Sequence, residues 1–388
     1  KKKRRKPMSA ATRRSECTGE TVLFMAVEVS DKTWKIGTTV SPAQKARTKN
    51  VSGGDVEALR REIQRAKKRF GLAEETQVVS CYEAGREGFW IHRWLESEGV
   101  INAVVDPASI DVNRRKRRAK TDRLDVFKLL SNLMRWWAGE KKTWSVVVVP
   151  AERDEDARHF HRERETLKKE RTAHTNRMKC LLKLHGISQQ RIDGDFVEQL
   201  GKLRLRDGSP LPPQLRQRLE REYQRLAFVE SQIELLARQR SEALRHSKDE
   251  RIAKVRKLNQ LKGAGEVGSW NLVMEIFAWR KFDNRRQVGS LAGLTGTPSD
   301  SGATTREQGI DKAGNAQVRA LLIEMAWSWV RWQPNSEITL WFNRKFGGAG
   351  KRHRRIGIVG VARRLLIAFW RYLEQDIEPK GAIIFKTR

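Results

Sequence analysis

Residues Thr21–Val29 read TVLFMAVEV, a nearly continuous apolar run with one acid, Glu28, next to its end. A run that is apolar at odd and even positions alike predicts a strand buried on both faces. A carboxylate at the end of such a strand would cost several kcal/mol, roughly, unless something compensates it. Working outward, Thr33–Val40 is a second strand candidate joined to the first by a tight SDK turn, and a weaker third lies near Val51. Helical spacing follows over Val56–Phe70, then a strand at Gln77–Tyr82, a helix at Gly88–Glu98, a strand at Ile101–Val105 and a helix at Thr121–Trp137. Meandering strands followed by alternating helices and strands predict an α/β domain with a mixed sheet covered by helices.

Three more acids fall at the ends of these elements. Glu83 follows the strand at 77–82, in CYEAG, where the chain turns towards a helix. The stretch Asn113–Leu130, NRRKRRAKTDRLDVFKLL, places Asp122 and Asp125 three residues apart, on one face of a first helical turn. D-x-x-D before an apolar run is also a helix-start signal, because carboxylates accept from free N–H groups and favour the positive end of the helix dipole. Sheet order in a mixed fold can bring the two strand ends together with that helix across them. Four carboxylates so placed would repel by about 4 kcal/mol per pair at 4 Å and an effective dielectric of 20. A divalent ion relieves this, and hard oxygen ligands select Mg2+ or Mn2+.

The chain has 388 residues, enough for two or three domains, and a formal net charge of +32. So large an excess predicts a polyanionic partner, nucleic acid above all. KKKRRKP at the N-terminus, ahead of Met8, reads as a basic tag or localisation segment that could direct the chain to a nucleus; the excess persists without its six charges. No apolar run reaches spanning length, so no membrane partner is expected. Cys17, Cys81 and Cys180 are far apart, which argues against a disulfide framework or cysteine zinc site and for a reduced, cytoplasmic setting.

From about Ala151 to His185 the chain changes to long, charged helix formers, and Leu215–Leu236 repeats the style after GSPLPP. Leu215, Leu219, Leu226, Val229, Ile233 and Leu236 mark an apolar seam, with Glu222 as its gap, as in an antiparallel coiled-coil hairpin or oligomer arm. His159 and His161 read as part of a solvated charged face. LKGAGEVGSWNLVMEIF, 261–277, resembles a helix-hairpin-helix turn, and TGTPSDSGATTREQG reads as a loop. The last segments are helical, and Trp327, Trp329 and Trp332 fit core positions better than base-stacking platforms.

The order of acids, a strand end, a second strand end and D-x-x-D on a late helix, resembles the RuvC-like branch of the RNase H fold, and AKTDRLD is similar to that branch in one group of transposases. LKGAG and the spaced SG…GI-x-K-x-GN, carried here by Ser301, Gly302, Gly309, Ile310, Lys312, Gly314 and Asn315, are similar to the C-terminal domain of the same group. On these motifs the chain resembles the insertion-sequence 110 family of bridge-RNA-guided recombinases, over nearly everything from Val22 to about Leu373.

The resemblance implies a basic arm at 1–20, a RuvC-like domain at 21–150, a coiled-coil region at 151–255 and a mostly helical serine transposase domain at 256–388. It implies a metal-binding tetrad of Glu28, Glu83, Asp122 and Asp125 with Mg2+ or Mn2+, and a nucleophilic Ser301. The family commonly has Asp where this chain has Glu28. Many relatives carry two serines before the glycine; here Asp300 and Ser301 stand there, so the SG pair selects Ser301, with Ser299 the alternative. Implied partners are a structured guide RNA, target and donor DNA, and further copies of the chain in an oligomer whose composite sites join the acids of one subunit to the serine of another. Arg114, Arg115, Lys116, Arg117 and Arg118 form a basic track beside the aspartates, and Arg306, Lys312 and Arg319 are candidate phosphate clamps. Two other readings share some of these features: a RuvC-like junction resolvase or nuclease using water, which needs the acids but no serine, and a non-catalytic structured-RNA-binding protein.

Overall fold

Leu23–Glu28 forms β1, the central strand of a five-stranded sheet. The structure is a computed structural model that describes residues 21–110, 122–188, 191–301 and 304–385, with the backbone alone at 122–124, 298–301 and 304–308. The chain divides into two compact units between Val149 and Pro150.

In the first unit β1 is followed by β2 (Thr33–Thr39), β3 (Arg47–Ser52), α1 (Val56–Arg69), β4 (Val78–Glu83), α2 (Trp90–Ser97), β5 (Ile101–Val105) and α3 (Asp122–Trp137). The sheet order is β3-β2-β1-β4-β5; the first three strands pair antiparallel, and β1, β4 and β5 run parallel. Period-two alternation divides β1 between two cores. Leu23, Met25 and Val27 pack with Leu59 and Ile63 of α1 and Ile91 and Leu95 of α2. Phe24 and Ala26 pack with Val79 and Cys81 of β4 and with Val126, Leu129, Leu130 and Leu133 of α3. Burial on both faces explains the unbroken apolar run. The weak third strand proves to be a six-residue edge strand, RTKNVS, whose polar, mostly exposed side chains carry little apolar signal because backbone pairing to β2 holds it.

The second unit opens with α4 (Glu152–Leu184), α5 (Phe196–Lys202) and α6 (Pro213–His246). Contacts between α4 and α6 run in opposite senses: His174 and Arg177 meet Glu222, while Met178 and Leu182 share a core with Leu215 and Leu219. The gap in the apolar seam is thus an ion cluster. Glu222 is buried and is held by His174 Nδ1 at 2.7 Å, Arg225 Nη1 at 3.0 Å and Arg177 Nη1. Burial pushes its carboxyl up, but hydrogen bonds from His174 and Arg177 outweigh that and hold it below the usual range.

Beyond the hairpin lie α7 (Glu250–Asn259), α8 (Glu266–Leu272), which runs into a π-helical turn at Val273–Phe277, α9 (Arg285–Leu291), β6 (Gly296–Ser301), β7 (Thr304–Ile310), α10 (Ala316–Trp332), α11 (Glu337–Phe346) and α12 (Lys351–Gln375). Two local expectations are corrected. The stretch read as a loop is an antiparallel β6–β7 hairpin, because pairing across the turn overrides a Gly/Ser/Thr composition typical of loops. His161 is not solvated: it is buried, with Nε2 2.8 Å from Glu275 Oε1, whereas His159 is exposed. The tryptophans divide, with Trp329 fully in the core and Trp327 and Trp332 exposed.

Candidate functional site

Glu28 and Glu83 end two adjacent parallel strands, one residue beyond the last registered pair, Val27 and Tyr82. By alternation each belongs to the sheet face that carries Ala26 and Cys81, which α3 covers. Glu28 is half-buried with one carboxylate oxygen fully buried, and Glu83 is exposed. Burial first, and the Glu83 carboxylate second, push the Cys81 thiol well above its usual range, so the charge of Glu83 is felt on this face.

α3 is seated on that face by two close approaches. Gly37, opposite Ala26 in β2, faces Val126 Cγ1 and Leu130 Cδ1; a Cβ there would overlap the first and lie 3.0 Å from the second. Cys81 Sγ lies 3.9 Å from the Leu129 carbonyl, two residues before Glu83 on the strand and one turn after Asp125 on the helix. Asp122 is the first residue of α3, and Asp125, half-buried, precedes the fully buried Val126. The fold therefore brings all four acids to one side of the sheet, two at strand ends and two in the first turn of the helix laid over it.

One residue of this neighbourhood escaped the sequence reading. Lys35 stands directly opposite Glu28 across the antiparallel β1–β2 pair. The tight SDK turn fixes that register, so counting back from it was the available signal. Among the described residues no group of three or more His, Cys, Asp or Glu side chains converges closely enough to hold a metal ion, and the Asp122 side chain lies outside them. The donors are all carboxylates, a hard oxygen set suited to Mg2+ or Mn2+. Arg114, Arg115, Lys116, Arg117 and Arg118 lie outside the described residues.

Ser301 is in the second unit, at the end of β6, with its backbone paired to Thr304; Ser299 pairs with Arg306. Lys312 is exposed and holds a left-handed backbone at φ 60°. Arg319 Nη1 donates to the carbonyls of Ala292, at 3.0 Å, and Lys312, at 3.1 Å, so it braces the segment between β7 and α10 against the end of α9.

Residues 255–339 match the family model for transposases of the IS116/IS110/IS902 family. The chain is 37% identical over 377 residues, 93% of its length and 94% of the relative's, to a Sinorhizobium fredii protein described as a putative transposase, y4rJ. The chain belongs to the IS110 family of transposases. It is also 26% identical over 226 residues, 58% of this chain and 64% of the other, to the transposase for insertion sequence element IS1328 of Yersinia enterocolitica.

The IS110-type motif GI-x-K-x-GN has a structural rationale here. Gly314, at φ 93°, lies so close to the Leu291 carbonyl that a Cβ would overlap it, and Gly293, at φ 60°, approaches the Ala313 carbonyl in the same way. Asn315 caps α10, its side-chain oxygen accepting from Gln317 N and Val318 N. These residues of the transposase lock the segment after β7, and with it the base of the hairpin that ends in Ser301.

Among the described residues no helix is long and apolar enough to cross a membrane.

Proposed function

We propose that this IS110-family transposase is an RNA-guided DNA recombinase, with a RuvC-like first domain, that cleaves and rejoins target and donor DNA through a serine nucleophile. The observation that carries the reading is the placement of Glu28 and Glu83 at neighbouring parallel strand ends, on the face covered by the helix that begins with Asp122 and Asp125. The mixed sheet, an antiparallel meander extended by two parallel strands, is compatible with a RuvC-like domain, and the net charge of +32 supports nucleic-acid partners.

Glu28, Glu83, Asp122 and Asp125 would hold a divalent ion, which when bound supplies charge stabilisation at the scissile phosphate. Ser301 Oγ forms a bond to phosphorus, the bond from phosphorus to the leaving deoxyribose oxygen breaks, and that oxygen takes up the proton serine gives up. The phosphoserine link conserves the bond energy, so that a hydroxyl from the partner DNA can attack in turn and restore the serine. Gly302, which lies outside the described residues and has no side chain, would let the protein backbone approach the phosphate closely. Acids and serine lie in different units of the chain, in keeping with a composite site formed between subunits.

The test is covalent trapping. Purified protein, guide RNA and labelled DNA should give a denaturation-resistant adduct dependent on divalent metal, located at Ser301 by mass spectrometry of the linked peptide. An adduct at Ser299 would move the nucleophile by two residues. Undiminished cleavage by a Ser299→Ala, Ser301→Ala double variant would instead identify a nuclease that uses water.

A further inference from the structure

A cleft of about 480 Å³ opens between α11, α12 and the segment that follows α12, and Arg285, Arg344, Arg364, Arg371 and Lys380 line it. Glu337 and Glu378 are the acids at its wall, so five cations face two carboxylates. All five cations are exposed, and none makes an ion pair among the described residues. Concentrating like charge around a concavity raises the local anion potential.

The cleft also holds an aromatic surface. Trp341 presents its ring to Arg364, whose Cζ lies 4.1 Å from the ring centroid. The indole is fixed from two sides: Phe346 meets it edge-on at 5.8 Å, and Gly360 lets it lie against α12, where a Cβ would stand 3.0 Å from Trp341 Cη2. Ile338 and Ile367 form an apolar floor. A planar guanidinium laid on an indole is held flat at little further entropic cost, and its outer surface suits stacking by a base.

We infer that this cleft binds single-stranded nucleic acid, one base stacking on the Arg364–Trp341 pair and the flanking phosphates lying against Arg344, Arg371 and Arg285. Its size suits about one nucleotide, and basic grooves with an aromatic platform grip single strands without reading their sequence. The inference takes from the proposed function only the identity of the polyanion.

The test is fluorescence anisotropy of the full chain with labelled 12-nucleotide single-stranded DNA and RNA of one sequence, across a salt series. Arg364→Gln with Arg371→Gln, which removes the stacking guanidinium and one phosphate contact, should weaken binding about tenfold and flatten the salt slope by roughly 0.7, the loss of a single phosphate contact. Trp341→Leu should weaken binding several-fold with the slope unchanged, because stacking releases no counterions. Arg364→Lys, which keeps the charge but loses the flat surface, should behave like Trp341→Leu and serves in its place if that variant does not fold. The larger loss among the RNA and DNA arms identifies the strand; equal losses assign the cleft to base and phosphate common to both. Wild-type affinity in the Arg364→Gln, Arg371→Gln variant overturns the inference, as does an equal loss in Arg218→Gln with Arg221→Gln, two exposed cations of α6. Binding that depends on the cleft in a protein that never cleaves DNA would remove the proposed function and leave the cleft standing, whereas no wild-type binding to either strand would overturn the inference and leave the proposed function to the trapping test.

Discussion

Glu28 and Glu83 occupy equivalent positions on two hydrogen-bonded parallel strands, each one step past the registered pair of Val27 and Tyr82. Two acids are thereby set side by side at a sheet end, with Lys35 opposite the first of them. Such a pair has little folding value, since like charges held together oppose the folded state.

Glu83→Gln is expected to abolish metal-dependent strand cleavage while changing stability by no more than about 0.5 kcal/mol, because the side chain is exposed. Cleavage assays beside thermal melts check this. A destabilised variant with intact cleavage per folded molecule would assign the acid to structure.

Gly37→Ala should lift α3 off the sheet. The added methyl would overlap Val126, and overpacking of this kind costs about 1–3 kcal/mol. The first turn of α3 carries Asp122 and Asp125, so cleavage should fall further than stability does. Activity measured well below the melting temperature separates the two effects.

Asp125→Ala and Ser301→Ala should each be inactive alone and should complement when mixed. With a composite site, a mixed oligomer contains one intact set of acids and one intact serine facing each other. Asp125→Ala should cost no more than about 1 kcal/mol of stability, the scale of a charge at a helix start. Absence of cleavage in mixtures that demonstrably co-assemble would place acids and serine of one chain in one site.

Glu275 should control acid stability of the second unit. Its carboxylate is buried and accepts from His161 and Arg162. Burial alone would raise its pKa, but these hydrogen bonds and the Arg162 charge take it down to about 2. A carboxyl depressed in the folded state stabilises above its unfolded value, near 4.5, and loses that contribution as pH falls towards 2. Roughly 3 kcal/mol should therefore disappear across that window in the wild type. In Glu275→Gln the acid limb of a denaturation profile should be correspondingly flatter.

The strands around β1 were legible because burial on two faces leaves a continuous apolar run, and the positions of Glu28 and Glu83 because each closes such a run. Glu222 was visible as an interruption of the seam, but its partners His174 and Arg177 lie on another helix, where no local pattern points to them. Glu275 is likewise explained only by residues more than a hundred positions away. The β6–β7 hairpin was hidden by its composition, and the π-helical turn by sharing the apolar pattern of the helix it extends. Lys35 was hidden differently: its type is ordinary, and only the strand register gives it a place.

The carboxylate of Glu222 has a further effect on the long hairpin that contains it. Helices of 33 and 34 residues rise about 50 Å at 1.5 Å per residue. Leucine contacts alone would let two such rods slide by a heptad and re-form much the same surface. A slid alignment would part Glu222 from His174 and Arg177 and leave its buried carboxylate with Arg225 of its own helix alone, at a cost below the roughly 3–5 kcal/mol of a wholly unpaired buried charge. The hairpin is therefore a ruler with one graduation: whatever its tip engages is held at a single, fixed reach from its base.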